Sequence, residues 1–377
     1  MTKKKREKFS SFLNNPMDFT LLITIILLLG IGLVMLLSAS SPSALADTGD
    51  SYYYFKRQLI FAILGVIAMF AISKIDYRFY QKFYIHSYVI SIILLVAVLL
   101  VGREINGAQR WIYLTETFSF QPSEMVKFLI IVFYAGILVK NRDDLSKFKN
   151  GFLKHFFWVL PIIGLLLLQP HFSASVVILG IVVVMMLVAG CKFRHFLTAG
   201  SILIPIVIVL VVLEPYRLQR VLTFLDPWQD ATGDGWQVIQ SLYAIGSGGL
   251  FGVGLGDSTQ KYLYIPEPHN DFIFSIIGEE LGFLGCVLII LLFAVFIWRG
   301  ILIAMKSPDM FGSLMAIGIT ALIAIQVIIN IAVVTSSMPA TGMPLPFFSY
   351  GGTALFIILC EMGVLLNISR ASAKNNK

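Results

Sequence analysis

The chain has 377 residues, of which 58% are apolar and only 13% charged. A soluble domain carries about 25% charged residues, so this chain lacks the polar surface to coat a water-soluble globule and needs lipid around it. The net charge of +7 could suit a nucleic-acid binder, but the charges cluster in short stretches between long apolar runs, the pattern of a polytopic membrane protein. Nucleic acid is therefore not an expected partner. The three cysteines, Cys191, Cys286 and Cys360, are scattered and spell neither a disulfide framework nor a metal motif.

Taken in chain order, a basic tail (residues 1–17) precedes a first predicted span at 19–37. The basic head and Ser43-Ala44-Leu45-Ala46 resemble a signal peptide with its cleavage site. The apolar run of 19 residues is longer than a signal core, so the segment is expected to stay as a span. Spans follow at 58–73, 83–102 and 123–139. Residues 155–191 hold no Asp, Glu, Lys or Arg over 37 positions, too long for one helix of about 20 residues. The break Gln169-Pro170-His171 divides them into a fifth and a sixth span. Residues 195–213 form the seventh, and the eighth runs from Asp271 or shortly after to Trp298. Residues 310–360, uncharged over 51 positions, divide at the Pro/Gly/Ser-rich stretch 338–352 into a ninth and a tenth. The expected fold is an all-α polytopic membrane protein of ten transmembrane helices. No internal repeat is visible, so 1–377 reads as one domain.

Lys/Arg bias orients the chain. With the N-terminus cytoplasmic, the inner segments hold 20 Lys and Arg and the outer ones seven, which puts both termini inside. The outer face then carries the 57-residue loop 214–270, long enough to be functional or disordered. Residues 235–243 of this loop read as an amphipathic helix. The glycine-rich run 246–254 suits close packing or a re-entrant turn, and a phosphate cradle is the sharper alternative. No strand precedes these glycines and no Gly-Lys-Ser/Thr ending follows, which weighs against the cradle.

Ionisable groups at membrane level are the best pointers to function, because each costs about 2.5–3.5 kcal/mol at a helix centre. Asp271 opens the eighth helix, either as an N-terminal cap or as a catalytic or binding group. Glu124 and Lys127 lie one turn apart at the head of the fourth helix, either as an ion pair easing mutual burial or as a site. Glu361 is expected near the inner face in a structural role, snorkelling or pairing with a terminal Arg. His171 and His269 lack a metal-ligand constellation.

Three stretches carry a resemblance: Asn106–Trp111 with Phe120-Gln121-Pro122-Ser123-Glu124-Met125-Val126-Lys127; residues 240–282; and Gln326…Asn330 followed by Pro339-Ala340-Thr341-Gly342-Met343-Pro344-Leu345-Pro346-Phe347-Phe348-Ser349-Tyr350-Gly351-Gly352. In order and in register, they make the chain similar to the SEDS family of bacterial cell-wall polymerases. Leu225-Asp226-Pro227-Trp228 and Lys261-Tyr262-Leu263-Tyr264-Ile265-Pro266-Glu267 look more like the FtsW/SpoVE branch than RodA. The resemblance implies an enzyme of the bacterial plasma membrane that polymerises lipid II at the outer face. It also implies a class B penicillin-binding protein as partner, with other division or sporulation proteins. The family's essential carboxylate falls on Asp271 and its cationic positions on Arg57, Arg110 and Lys127; Glu124, His269 and Ser349 join them as substrate-binding candidates. Where many members carry Asp, this chain has His171, so a role for that carboxylate does not carry over.

One point stands without the resemblance: a site on the outer face has no access to cytoplasmic nucleotide sugars, so its donor must bring its own leaving group, as a lipid-linked pyrophosphate does. The expected chemistry is inverting transfer with Asp271 as general base and Arg110 and Lys127 near the departing pyrophosphate. A divalent cation (Mg or Mn) could assist there, held mainly by the pyrophosphate, and no organic cofactor is expected. Two other functions compete. A lipid II flippase calls for repeats and mid-membrane charges, and a non-catalytic scaffold leaves the charged outer cluster unexplained. Division and spore-cortex roles share every motif quoted.

Overall fold

Hydrocarbon offers no water to peptide groups, so apolar runs of this length must close their hydrogen bonds internally. In the computed structural model they do so as helices. The structure describes residues 16–105, 108–113, 115, 119–213, 218, 222–233, 235–262 and 264–373. Most of the basic tail (1–15), Asn106-Gly107, parts of the long loop 214–270 (214–217, 219–221, 234 and 263) and residues 374–377 lie outside the described residues.

The helices in chain order are α1 (Phe19–Thr48), α2 (Tyr53–Ile72), α3 (Arg78–Gln81), α4 (Tyr84–Val101), α5 (Pro122–Lys140), α6 (Lys154–Leu168), α7 (Phe172–Ala189) and α8 (Phe193–Val212). They continue with α9 (Trp236–Ser247), α10 (Ile273–Met305), α11 (Met310–Val334) and α12 (Gly352–Ala373). Among the described residues, nine of these are long and apolar enough to cross a membrane: α1, α2, α4, α5, α6 with its lead-in from Phe148, α7, α10, α11 and α12. The seventh expected span coincides with the 20-residue helix α8. The chain is a mainly helical, multi-pass membrane protein. At the centre of the bundle sit α5, α11 and α12, buried over 67–78% of their apolar windows, whereas α2 and α4 are buried over 22% and face outward. The amphipathic segment of the 214–270 loop is α9.

The all-α expectation needs one correction. Between α4 and α5 the chain forms a small antiparallel sheet, β1 (Arg103–Ile105), β2 (Ala108–Tyr113) and β3 (Ser119–Phe120), in that order. Glu104 pairs with Gln109 and Ile112 with Phe120. An Asn-Gly pair between short extended runs is a strong hairpin signal. The first span is also longer than expected: α1 runs 30 residues, and Ser43 and Ala44 are buried inside it rather than lying in a cleavage segment.

The glycine-rich run is explained by α10. At Gly282 the backbone leaves helical geometry (φ 65°, ψ −167°), and α10 breaks into two halves. Residues 249–254 cross the break and satisfy the peptide groups it frees. Val253 and Gly254 N–H donate to the carbonyls of Glu279 and Glu280 (3.0 and 3.1 Å), while Phe283 and Leu284 N–H donate to Gly249 and Leu250 (2.9 and 3.1 Å). A side chain on Gly252 would lie 2.1 Å from Glu280 O, so the contact requires glycine. Gly252 N–H is itself taken by Gly248 O at 2.7 Å. With these N–H groups spent inside the protein, the glycines serve close packing and not a phosphate cradle.

The carboxylates at this crossing hold the rest of the loop. Glu279 accepts from Ser258 Oγ, Thr259 N and Oγ1 (both 2.9 Å) and Gln260 N (3.3 Å). Glu280 pairs with Lys261 at 2.9 Å and accepts from Ser38 Oγ of α1 at 2.6 Å. A Gly282→Ala change should therefore cost about 1–3 kcal/mol in backbone strain alone, with a further clash because the new Cβ would lie 2.3 Å from Gly252 N. Gly246, in α9, has nothing within 4 Å of an added Cβ, so Gly246→Ala should be neutral or stabilising by up to about 1 kcal/mol. Thermal unfolding of both variants in one detergent checks this; equal midpoints would refute the role given to Gly282.

Candidate active site

Several of the singled-out residues converge on one cavity of about 550 Å³, walled by the head of α2, the small sheet, the start of α5, the α6–α7 break, the residues ahead of α10 and the loop before α12. Arg57, Arg110, Glu124, Asp271 and Ser349 line it, as does His171. Lys127 and His269 do not. Segments far apart in sequence thus supply one polar chamber.

Asp271 lies two residues before α10, and the helix is capped at Phe272 without a side-chain bond, so the capping alternative does not describe it. Its carboxylate forms no ion pair among the described residues. Burial pushes it up to about 6, its own backbone N–H opposes that, and the nearby Glu267 charge adds to the rise. The backbone around it is firmly tied: Asn330 Nδ2 of α11 donates to Asp271 O at 2.7 Å and to Met343 O at 2.8 Å. Gly342, at φ 67°, belongs to the loop before α12, and a Cβ there would lie 3.8 Å from Asp271 Oδ2. A carboxylate that is poorly solvated, near neutral pH in its titration and held on a rigid turn is suited to accept a proton.

The cations sit across the chamber. Arg57 Nη1 donates to Tyr53 OH at 2.9 Å. Arg110 reaches from β2 to the carbonyl of Pro170. Glu124 faces the cavity while Lys127 stands behind it at 2.7 Å, with side chains 9% and 2% exposed. Both readings of this pair, mutual neutralisation and a charged site wall, fit that arrangement. His171 Nε2 lies 2.9 Å from Gln121 Nε2 and 3.2 Å from Ser123 Oγ. Burial, with Arg110 and then Lys127 nearby, pulls the imidazole down to about 3, so it is neutral.

His269 and Ser349 have structural work. His269 stacks on Tyr54 at 4.6 Å, and its carbonyl accepts from Tyr350 N at 2.8 Å, which braces the segment leading to Asp271. Burial pulls it down to about 4. Ser349 Oγ accepts from Leu345 N at 2.8 Å, although the residue also lines the cavity. Glu361 requires a correction. It lies midway along α12, 2% exposed, and neither carboxylate oxygen has a hydrogen-bond partner among the described residues, so it neither snorkels nor pairs with a terminal Arg there. It is the tenth residue of a 22-residue helix, well away from either end.

Gln58 escaped sequence reasoning. Its amide bridges Ser349 O (3.1 Å) and Gly351 N (3.1 Å), pinning the loop before α12 to α2. The available signal was a buried amide in an otherwise apolar run. Glu267, Asn270 and Tyr350 also line the cavity and stood inside the quoted motifs without being singled out. Among the described residues no group of three or more His, Cys, Asp or Glu could hold a metal ion.

Comparison with known proteins bears on this arrangement. Residues 19–374 match the family model FTSW_RODA_SPOVE, described as cell cycle protein. The chain is 47% identical over 357 residues to stage V sporulation protein E of Bacillus subtilis, covering 94% of this chain and 97% of that protein. It is 43% identical over 354 residues to the probable peptidoglycan glycosyltransferase FtsW of Trichlorobacter lovleyi, covering 93% of each. Among solved structures, a chain from a peptidoglycan synthase complex that coordinates polymerization and crosslinking superposes with a TM-score of 0.80 at 32% identity, covering 94% of this chain and 98% of that one. The rod shape determining protein RodA of Thermus thermophilus does so with 0.70 at 29% identity, covering 94% and 97%. With nearly the whole length matched by the family model, by curated relatives and by solved folds, the chain belongs to the FtsW/RodA/SpoVE cell cycle protein family.

Proposed function

We propose that this chain is a peptidoglycan glycosyltransferase that polymerises lipid II at the outer face of a bacterial plasma membrane. Relatives named as peptidoglycan glycosyltransferases support the activity. The observation that carries the site is that Asp271, Arg57 and Arg110 line one chamber. Asp271 Oδ takes the proton of the acceptor GlcNAc 4-hydroxyl as that oxygen bonds to C1 of the donor MurNAc. The bond from C1 to the pyrophosphate oxygen breaks, and undecaprenyl pyrophosphate leaves with the electron pair. Arg110, which lines the chamber, stabilises the developing charge, with Lys127 acting at longer range from behind Glu124, and a dry site makes such charge worth far more than water would. A divalent cation, where one takes part, is held mainly by the pyrophosphate, as magnesium usually is, and supplies further charge neutralisation there.

We further propose ten spans, with α8 as the seventh, both termini cytoplasmic and the loop 214–270 outside, in a single domain. A class B penicillin-binding protein is the partner in this reading, supported by the likeness to a chain of a peptidoglycan synthase complex.

Asp271→Asn keeps the shape and removes the basicity. Glycan synthesis from lipid II by the purified variant should fall by at least about 10²-fold, the usual span of general-base catalysis being 10²–10⁴. Because Asp271 titrates near 6 and acts only when ionised, wild-type kcat/KM should rise with pH up to about 6 and level off above it. Near wild-type synthesis by Asp271→Asn would exclude the general-base role.

The Glu124–Lys127 pair separates structure from substrate binding. Lys127→Met leaves a buried carboxylate unpaired and should destabilise the fold by about 3–5 kcal/mol, and adding Glu124→Gln should recover most of that loss. The double variant should fold yet make no glycan. If thermal stability and glycan yield both return, the pair is structural and Lys127 leaves the site.

For topology, Gly233→Cys on a background without the native cysteines should react with a membrane-impermeant thiol reagent in intact cells. Labelling only after permeabilisation would overturn the orientation.

A further inference from the structure

A second cavity, of about 250 Å³, opens beside the first, between α9, the turn after α11 and residues 223–224 of the outer loop. It differs from its neighbour in chemistry. No charged residue lines it among the described residues; its walls are the indole of Trp236, prolines and apolar side chains, with the polar groups of Thr223, Gln237 and Ser336. The two cavities are next-door rooms. Pro266 lines the small one and Glu267 the large one; Ala340 lines the small one and Gly342 the large one, with Thr341 between them.

The small cavity is built, not left over. Trp236 Nε1 donates to Tyr264 O at 2.7 Å and Gln237 Nε2 to Pro266 O at 3.2 Å, which fixes both side chains. Thr223, 8% exposed, has a buried Oγ1 with no hydrogen-bond partner among the described residues, and the Oγ1 of Thr341 at the partition is in the same state. Buried hydroxyls left without partners are rare enough to call for a ligand or water. A rigid indole next to prolines and unsatisfied hydroxyls matches a sugar ring, which offers apolar C–H faces and a rim of hydroxyls.

Size and charge then indicate which sugar. A cavity of 550 Å³ falls within the range of about 300–1,000 Å³ that accommodates one drug-sized ligand, yet the reaction joins two lipid-linked saccharides. The donor strand carries its pyrophosphate at one end, which belongs near Arg110 in the large cavity. Its sugars lead away from that charge, past Asp271, towards the uncharged room. We propose that the Trp236 cavity is a saccharide subsite that holds neutral sugars of the growing glycan strand while its reacting end lies at Asp271. This rests on the lipid II polymerase reading. Its consequence is kinetic: a held strand dissociates more slowly between transfers, so the subsite sets strand length more than the rate of each transfer.

The test uses the full-length purified protein, with lipid II as probe and glycan strands sized on a gel at matched lipid II consumption. Trp236→Ala removes the stacking wall, Met338→Trp fills the cavity from the other side, and Trp236→Tyr keeps an aromatic face. The expected result is strands several-fold shorter for Trp236→Ala and Met338→Trp, with initial lipid II consumption little changed and Trp236→Tyr close to wild type. Thermal midpoints identify any variant that fails to fold, and the remaining variant then decides. Unchanged strand length in a folded Trp236→Ala or Met338→Trp protein, while the wild type polymerises, overturns the subsite alone. Absence of strands from the wild type itself overturns the polymerase reading instead.

Discussion

Within hydrocarbon every peptide group must find its partner inside the protein, and α10 meets that demand at Gly282 by borrowing the backbone of residues 249–254. Much else follows from this crossing. It turns one long apolar run into two half-helices and keeps the upper half, with Asp271 just ahead of it, at a fixed angle to the lower. It draws the long loop 214–270 against α10 so that Glu279 and Glu280 can hold residues 258–261. The glycines are needed because two backbones pass within contact distance, leaving no room for Cβ atoms.

Burial governs the charges in a similar way. Glu280 and Lys261 are each nearly inaccessible and survive as a hydrogen-bonded pair with Ser38 completing the set. Glu124 and Lys127 do the same at the cavity wall. Asp271 has no such partner among the described residues, and its titration moves up accordingly. The same desolvation that penalises these groups pushes the Asp271 carboxylate up to about 6 in the chamber that Arg57 and Arg110 also line. Breaking either buried pair exposes the fold to the full cost of a lone charge, which is why stability and synthesis have to be measured together.

Much of the membrane architecture was legible in the sequence, because a span needs only length, apolarity and a break, and these are local properties. The Gln169-Pro170-His171 break and the Pro-rich stretch before α12 divide spans where expected. The small sheet was not read, although Asn106-Gly107 carries a hairpin signal, because its strands are only 2–6 residues long and lie among charged positions. Glu361 was misplaced for a different reason. Distance along a helix can be counted, but which neighbours enclose a side chain depends on other helices.

The candidate site divides along the same line. Residue types and their setting singled out Asp271 and the Glu124–Lys127 pair as candidates from the chain alone, since a charge in an apolar run must have a reason, whereas Arg57 and Arg110 stood out through the family resemblance. Only the tertiary structure decided which of them share a chamber. It put His171 and Gln58 beside them, moved His269 into an aromatic brace with Tyr54 and assigned the glycine run to a backbone crossing. Those choices arise from contacts between segments hundreds of residues apart, such as Gln58 with Ser349, and no local pattern of hydropathy or charge encodes which segments will meet.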